Sequence, residues 1–439
     1  MPLSELRPYG PQGHDVPRYM TYPTTDWFVE AFGAAQVRDW LSASERLGPG
    51  NLPALTVTLP GAADQMGASA WLGAYGRETA LYARLLAQGR ALGEVHWSLG
   101  RDTLPPSWLA ALLDVLACGF YLGTQPRMSV TIDPACAQIL PYLAELGFSR
   151  ADIGFGASCG AAAHGEQYRW NEWHARALAH AHSVRDDARV SIGLCLRYGA
   201  PGQSKAAFGR ALDEVLACQP GRIQIQHIAA ARAEPQGRNV RAALPRARLP
   251  MLRWIAARLL EAGYSRVAGD YYARPADLFG IAQRRARLAL RPYGLSAEGG
   301  HTTIALGPAA IGAVGPMYYQ NQRNPADYMA LLARDELPVM RGVGLSADDL
   351  VRRSVIHSLS CNLFVDIEAL TLAFGIDFER HFAAEQPMLH ELERAGLISR
   401  SAGAIEIVGD GLLQVDNVCM VFDAHLRRRH ASGPYRASL

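Results

Sequence analysis

From residue 54 onward the chain repeats one pattern: an apolar run of four to seven residues, a loop holding Gly, Pro or Asp, then 12–20 residues of helical character. The runs lie at 54–59, 93–97, 127–132, 151–155, 190–196 and 222–228, with helices expected near 70–91, 105–121, 135–146, 166–184 and 204–217. Strands separated by such crossovers run parallel, because a parallel pair cannot be joined by a tight turn. The expectation is an α/β protein whose parallel sheet curves into a partial (β/α)6 barrel. In that geometry a ligand site falls at the C-terminal ends of the strands.

Both flanks read differently. Residues 1–50 form an arm rich in Pro, Gly and aromatics, including RYMTYPT from Arg18 to Thr24 and an amphipathic helix expected at 34–45. A further helix is expected at 249–262, followed by VAGDYYARPAD, from Val267 to Asp277, which reads as a loop facing the strand ends. In DDLVRRSVIHSLSCN, Leu350, Val351, Val355, Ile356 and Leu359 fall on one side of a helix. Beyond it a helix, Gly396-Leu397-Ile398, a turn at Gly403 and a strand at 405–408 are similar to the wing of a winged-helix unit. The expected division is an arm at 1–50, a barrel at 51–335 and a mostly helical, winged-helix-like domain at 336–439.

Composition narrows the function classes. A net charge of +2 gives no electrostatic footprint for nucleic acid, and the wing-like segment carries Glu391, Glu393, Glu406 and Asp410 among few cations. A packing or lid role is expected there. No run approaches the roughly 18 apolar residues of a membrane span, and no secretory signal pattern is present, so the cytoplasm is the expected compartment. The seven cysteines (118, 136, 159, 195, 218, 361 and 419) form no CxxC, CxxxC or CxH spacing. Free, mostly buried thiols are expected.

Nine motifs occur in order: RYMTYPT; the strand and loop LTVTLPGAADQMGASAWL at 55–72; HW at 96–97; Asp133-Pro134; YGAPGQS at 198–204; GDYYARPAD at 269–277; YYQNQ at 318–322; VRRSVIHSLSCN at 351–362; and NVCMVFD at 417–423. Together they resemble the oxygen-independent coproporphyrinogen III oxidase family, a branch of the radical S-adenosylmethionine enzymes, over nearly the whole chain. The resemblance implies a four-iron, four-sulfur cluster held by three cysteines in a CxxxCxxC loop. The cluster reduces S-adenosylmethionine, and the resulting radical drives decarboxylation of a propionate to a vinyl group.

This chain departs from the pattern where that chemistry starts. The three ligand positions hold Ala62, Met66 and Ser69, and a further cysteine position holds Trp71. A thioether and a hydroxyl do not replace thiolates. Further cofactor positions hold Thr56, Thr58, Thr131, Gly156 and Cys195, and the glycine-rich turn becomes SLGRDT from Ser98, in which Leu99 and Arg101 are expected to obstruct the cofactor. Cofactor use reads as abandoned as a unit, with neither cluster nor S-adenosylmethionine expected.

The retained motifs point to a tetrapyrrole, heme or porphyrin, as ligand. Tyr19, Tyr22, Tyr271 and Tyr272 are candidates to contact the macrocycle; Arg18, Arg274, Arg352 and Arg353 to pair with propionates; and His227 to act as an axial ligand. Structural turns, salt bridges and core hydrogen bonds are the alternative use of each. Three functions stay open: a pseudoenzyme that carries or senses a tetrapyrrole, an active oxidative decarboxylase, and an interaction subunit of an active paralogue or a homo-oligomer.

Overall fold

The computed structural model describes residues 19–42, 54–59, 67–86, 91–99, 105–122, 127–154, 178–179, 189–199, 203–227, 245–300 and 302–431. Six strands follow the expected pattern: β1 (Ala54–Thr58), β2 (Glu94–Leu99), β3 (Arg127–Ile132), β4 (Phe148–Ile153), β5 (Ser191–Tyr198) and β6 (Arg222–His227). They are parallel nearest neighbours in sequence order. The sheet does not stop there. A hairpin, β7 (Ser265–Ala268) and β8 (Tyr271–Ala273), pairs antiparallel with β6.

A second hairpin, β9 (Ala289–Arg291) and β10 (Gly294–Ser296), stands apart from the main sheet. On the other edge β11 (Thr303–Leu306) adds parallel to β1, and β12 (Ile311–Ala313), β13 (Met317–Asn321) and β14 (Val339–Gly344) continue antiparallel. The result is a twelve-stranded mixed sheet.

Alternation along the strands sorts their side chains into two environments. Leu55, Val57, Val95, Trp97, Val130, Ile132, Leu194 and Ile223 belong to one apolar core with Tyr75, Leu109, Leu112, Phe208, Leu212 and Ile255 of the flanking helices. These helices include Ala68–Leu86, Pro106–Gly119, Lys205–Cys218 and Pro245–Glu261. Each fully buried leucine or valine there contributes on the order of 1.5–3 kcal/mol. The opposite face is buried but polar, with Thr56, Glu94, His96, Ser129, Arg150, Asp152, Arg222 and Gln224.

Several expected boundaries shift. Residues 267–277 are no free loop: β7 and β8 fold back through Gly269-Asp270, and the Asp270 carbonyl accepts from the Ile225 amide at 2.9 Å. Gly269 takes φ +40°, which glycine tolerates. The helix expected at 135–146 is a 3-10 turn, Pro134–Ile139, and a short helix, Leu140–Leu143, consistent with Pro134 and Pro141 withholding amide donors. The arm helix is Ala34–Ser42.

The Ala347–Asn362 helix opens with a reciprocal capping box: the Asp349 amide donates to Ser346 Oγ at 3.1 Å and the Ser346 amide donates to Asp349 Oδ2 at 3.0 Å. Its apolar side joins the core of the C-terminal region, which also holds the antiparallel strands β15 (Phe364–Asp366), β16 (Ile398–Arg400) and β17 (Ala404–Ile407). Tyr19 and Tyr22 of the arm are buried in this same core. Residue Val29 then bridges Gly342 of β14, so the arm ties the C-terminal region to the sheet edge. Among the described residues no helix is long and apolar enough to cross a membrane.

Candidate functional site

The strand register assembles the polar face into rungs. Thr56, His96, Ser129, Arg150 and Ser191 align across β1 to β5, and Ser98, Thr131, Asp152, Gly193 and Arg222 form the next rung toward the strand ends. At the end of β5 and β6, Arg197 Nε donates to Gln226 Oε1 at 3.1 Å.

Most of the charge is internally matched. Arg222 is fully buried, and it donates to Asp152 at 2.7 Å, to Asp277 at 2.8 Å and to the Ser191 carbonyl at 2.9 Å. Burial works against its charge, yet Asp152 and Asp277 outweigh it and hold its pKa above the ordinary value. Arg150 lies 3.6 Å from Glu94 and 3.4 Å from Asp152. Both guanidinium groups sit over the Phe279 ring, at 4.9 and 5.5 Å from its centroid.

His96 is buried and stacks on Tyr293 with centroids 4.4 Å apart. Burial, and next the Arg150 charge, hold its pKa well below 6.5, so the ring is neutral. Ser129 donates to Glu94, which leaves Ser129 Oγ to accept from His96 Nδ1 at 2.9 Å. Nε2 then accepts from Thr131 Oγ1 at 3.3 Å. A directed chain therefore runs from Thr131 through His96 and Ser129 to Glu94.

Ser69 is exposed in the first turn of the Ala68–Leu86 helix; Ala62, Met66, Arg101, Gly156 and Arg18 lie outside the described residues. Trp71 is buried, 6.2 Å from Tyr75 and 6.1 Å from Tyr328. Leu99 does not obstruct the polar side. Alternation turns it outward into the helix-facing core, while Ser98 takes the inward position. Cys195 is 3% exposed and packs with Tyr271 and Val267.

The tetrapyrrole candidates do not converge on one place. Tyr19 donates to Asp423 at 2.9 Å, and Tyr22 Oη accepts from the Ala424 amide at 3.1 Å. With exposures of 1% and 0%, neither offers a ring face to a ligand. Arg352 pairs with Asp348 at 2.8 Å and Glu385 at 2.6 Å and donates to the Phe422 carbonyl, within the C-terminal region. Tyr272 is buried beneath Arg266, and Arg274 donates to Tyr264 Oη at 3.4 Å. Tyr271 is buried edge-on to Phe279, while Arg353 is half-buried 6.0 Å from the Tyr318 ring. His227 ends β6, and its side chain lies outside the described residues.

The charged lattice itself was not singled out in the sequence. Its signal was present, since SRAD in β4 and RIQIQH in β6 alternate charged or amide residues with apolar ones.

The chain is 31% identical over 436 residues to the oxygen-independent coproporphyrinogen III oxidase of Pseudomonas aeruginosa, covering 93% of each. This chain belongs to the oxygen-independent coproporphyrinogen III oxidase family. The family member of Salmonella typhimurium is 30% identical over 438 residues, covering 94% of this chain and 93% of that one. Residues 345–414 match the family described as HemN C-terminal domain. The solved Escherichia coli coproporphyrinogen III oxidase (HemN), described as a radical SAM enzyme, superposes with a TM-score of 0.80 at 26% identity, covering 93% of this chain and 97% of that one.

The donor set does not fit the family's cluster. Ala62 offers no donor atom, Met66 offers a neutral thioether and Ser69 a hydroxyl, whereas such clusters are held by thiolates. The described cysteines occupy separate elements, Cys118 exposed and Cys136, Cys195, Cys218, Cys361 and Cys419 buried. Among the described residues no group of three or more His, Cys, Asp or Glu side chains is placed to hold a metal ion.

Proposed function

We propose that this chain is a coproporphyrinogen III oxidase-like pseudoenzyme that binds a porphyrin or heme in the cytoplasm as carrier, sensor or regulator. The observation that carries this reading is the missing thiolates after β1 in a chain that keeps the family fold at a TM-score of 0.80. A chance lesion removes one ligand. Here Ala62, Met66 and Ser69 change together with Thr56, Thr131, Gly156 and Cys195.

We read β1 to β6 with their helices as a partial (β/α)6 barrel, and 336–439 as a mostly helical, winged-helix-like domain, a reading supported by the Gln386–Arg394 helix leading into β16 and β17. The arm at 1–50 and the division near 335 belong to the same reading. Of the ligand candidates it keeps Arg18 and His227, which ends β6: Tyr19, Tyr22, Tyr272 and Arg352 are engaged in internal bonds, Tyr271 is enclosed, Arg274 follows β8 beside Gly221 at the start of β6, and Arg353 lies over Tyr318, level with the start of β1. The macrocycle then lies above the strand ends.

Titration of the purified full chain with coproporphyrin and with heme tests the proposal. Saturable binding of one of them is expected; binding of neither overturns it. Anaerobic reconstitution with iron and sulfide is expected to leave no stoichiometric cluster, and uptake of one refutes the reading of the loop.

A further inference from the structure

Beneath the strand ends the polar face borders a partly open cavity of about 20 Å³ lined by His96, Thr131, Arg150, Asp152, Phe279 and Tyr293. A water molecule needs roughly 10–15 Å³ of such space, so the cavity has room for one. Arg150 borders it and is 3% exposed, and its Nε and Nη1 make no hydrogen bond among the described residues. Its ion pairs, Nε to Asp152 at 3.4 Å and Nη2 to Glu94 at 3.6 Å, lack hydrogen-bond geometry at Nε and leave Nη1 untouched. A buried guanidinium N–H without an acceptor is costly, so an acceptor in the cavity is favoured.

Charge decides what kind of acceptor. Glu94, Asp152 and Asp277 face Arg150, Arg222 and the buried Arg291, so the charges around the cavity balance beside a neutral His96. A halide or carboxylate therefore adds a buried negative charge without a counter-ion. Water accepts from Arg150 and donates to the oxygens of Asp152 or Thr131 at no cost in charge.

We propose that one water molecule occupies this cavity and bridges Arg150 to the chain running from Thr131 through His96 and Ser129 to Glu94. The water supplies the acceptor that Arg150 lacks among the described residues.

The test is a crystal structure of the full chain at a resolution that shows ordered water, with a parallel bromide soak. The expected result is one peak about 2.7–3.2 Å from Arg150 Nη1 and no anomalous bromide signal there. An empty cavity, or a bromide peak, overturns the assignment. In Arg150→Met the peak is expected to disappear, and its retention at unchanged occupancy refutes the bridge. Should that variant not fold, the wild-type map and the soak still decide.

Discussion

Glu78 gives the sharpest stability prediction. It sits on the Ala68–Leu86 helix, fully buried, and no salt bridge to a cation is formed at its carboxylate among the described residues. Three donors reach it: the Gly307 amide at 2.8 Å, Asn321 Nδ2 at 2.8 Å and Tyr328 Oη at 2.5 Å. Burial raises its pKa more than these donors lower it, and the pKa is pushed up to about 7 from an ordinary 4.5. Between those two pH values the folded state holds a proton that the unfolded chain has released. Raising the pH therefore costs stability through that window, by about 3 kcal/mol in total, and the loss levels off above about pH 7.

Glu78→Gln removes the titration while keeping the shape. It has its own fixed cost of about 1 kcal/mol, because its amide nitrogen faces Asn321 Nδ2 and that side chain must turn to present Oδ1. Urea unfolding of both proteins from about pH 5 to pH 8 gives the measurement. The stability of wild type relative to the variant should fall by at least about 2 kcal/mol across that range. Curves that stay parallel to within about 0.5 kcal/mol refute the argument.

Arg222→Met strands the buried carboxylates of Asp152 and Asp277, and a loss of roughly 3–5 kcal/mol in urea unfolding is expected; a loss below about 1 kcal/mol means that the lattice does not hold the sheet interior. Returning cysteine at Ala62, Met66 and Ser69 in one variant is expected to permit iron and sulfide uptake without restoring S-adenosylmethionine cleavage, because the resemblance also assigns Thr56, Thr131 and Cys195 to cofactor positions. Cleavage by that variant would falsify the loss of the cofactor site as a unit.

The parallel strands were legible because Leu55, Val57, Val95 and Val130 are buried against helices, and apolar runs of this kind stand out in a sequence. The antiparallel additions were not. Strands β7, β8 and β12 have three or four residues each, too short for alternation to emerge, and Tyr271, Tyr272 and Ala273 are all buried, so they read as an aromatic loop. The arm deceived for a related reason. RYMTYPT looks like a ligand-facing motif, but Tyr19 and Tyr22 use their hydroxyls on Asp423 and Ala424, about 400 residues away, a pairing that no local pattern encodes.

The separation of fold from chemistry follows from the two-residue period of the strands. Outward residues such as Val57, Trp97, Leu99 and Leu194 carry the helix-facing core, while Thr56, Thr131 and Cys195, which the resemblance assigns to cofactor positions, face inward. Substitution on one face leaves the other face's packing in place. Inward, the polar groups found partners of their own: His96 with Ser129 and Thr131, Arg222 with Asp152 and Asp277. A buried polar group is tolerated only when such partners exist. The sheet can therefore keep its framework without cluster thiolates, because the helix-facing core does not depend on the inward residues, and the Arg222 lattice, with two buried carboxylates on one guanidinium, is the part of the inward face where loss of one partner leaves the most charge unpaired.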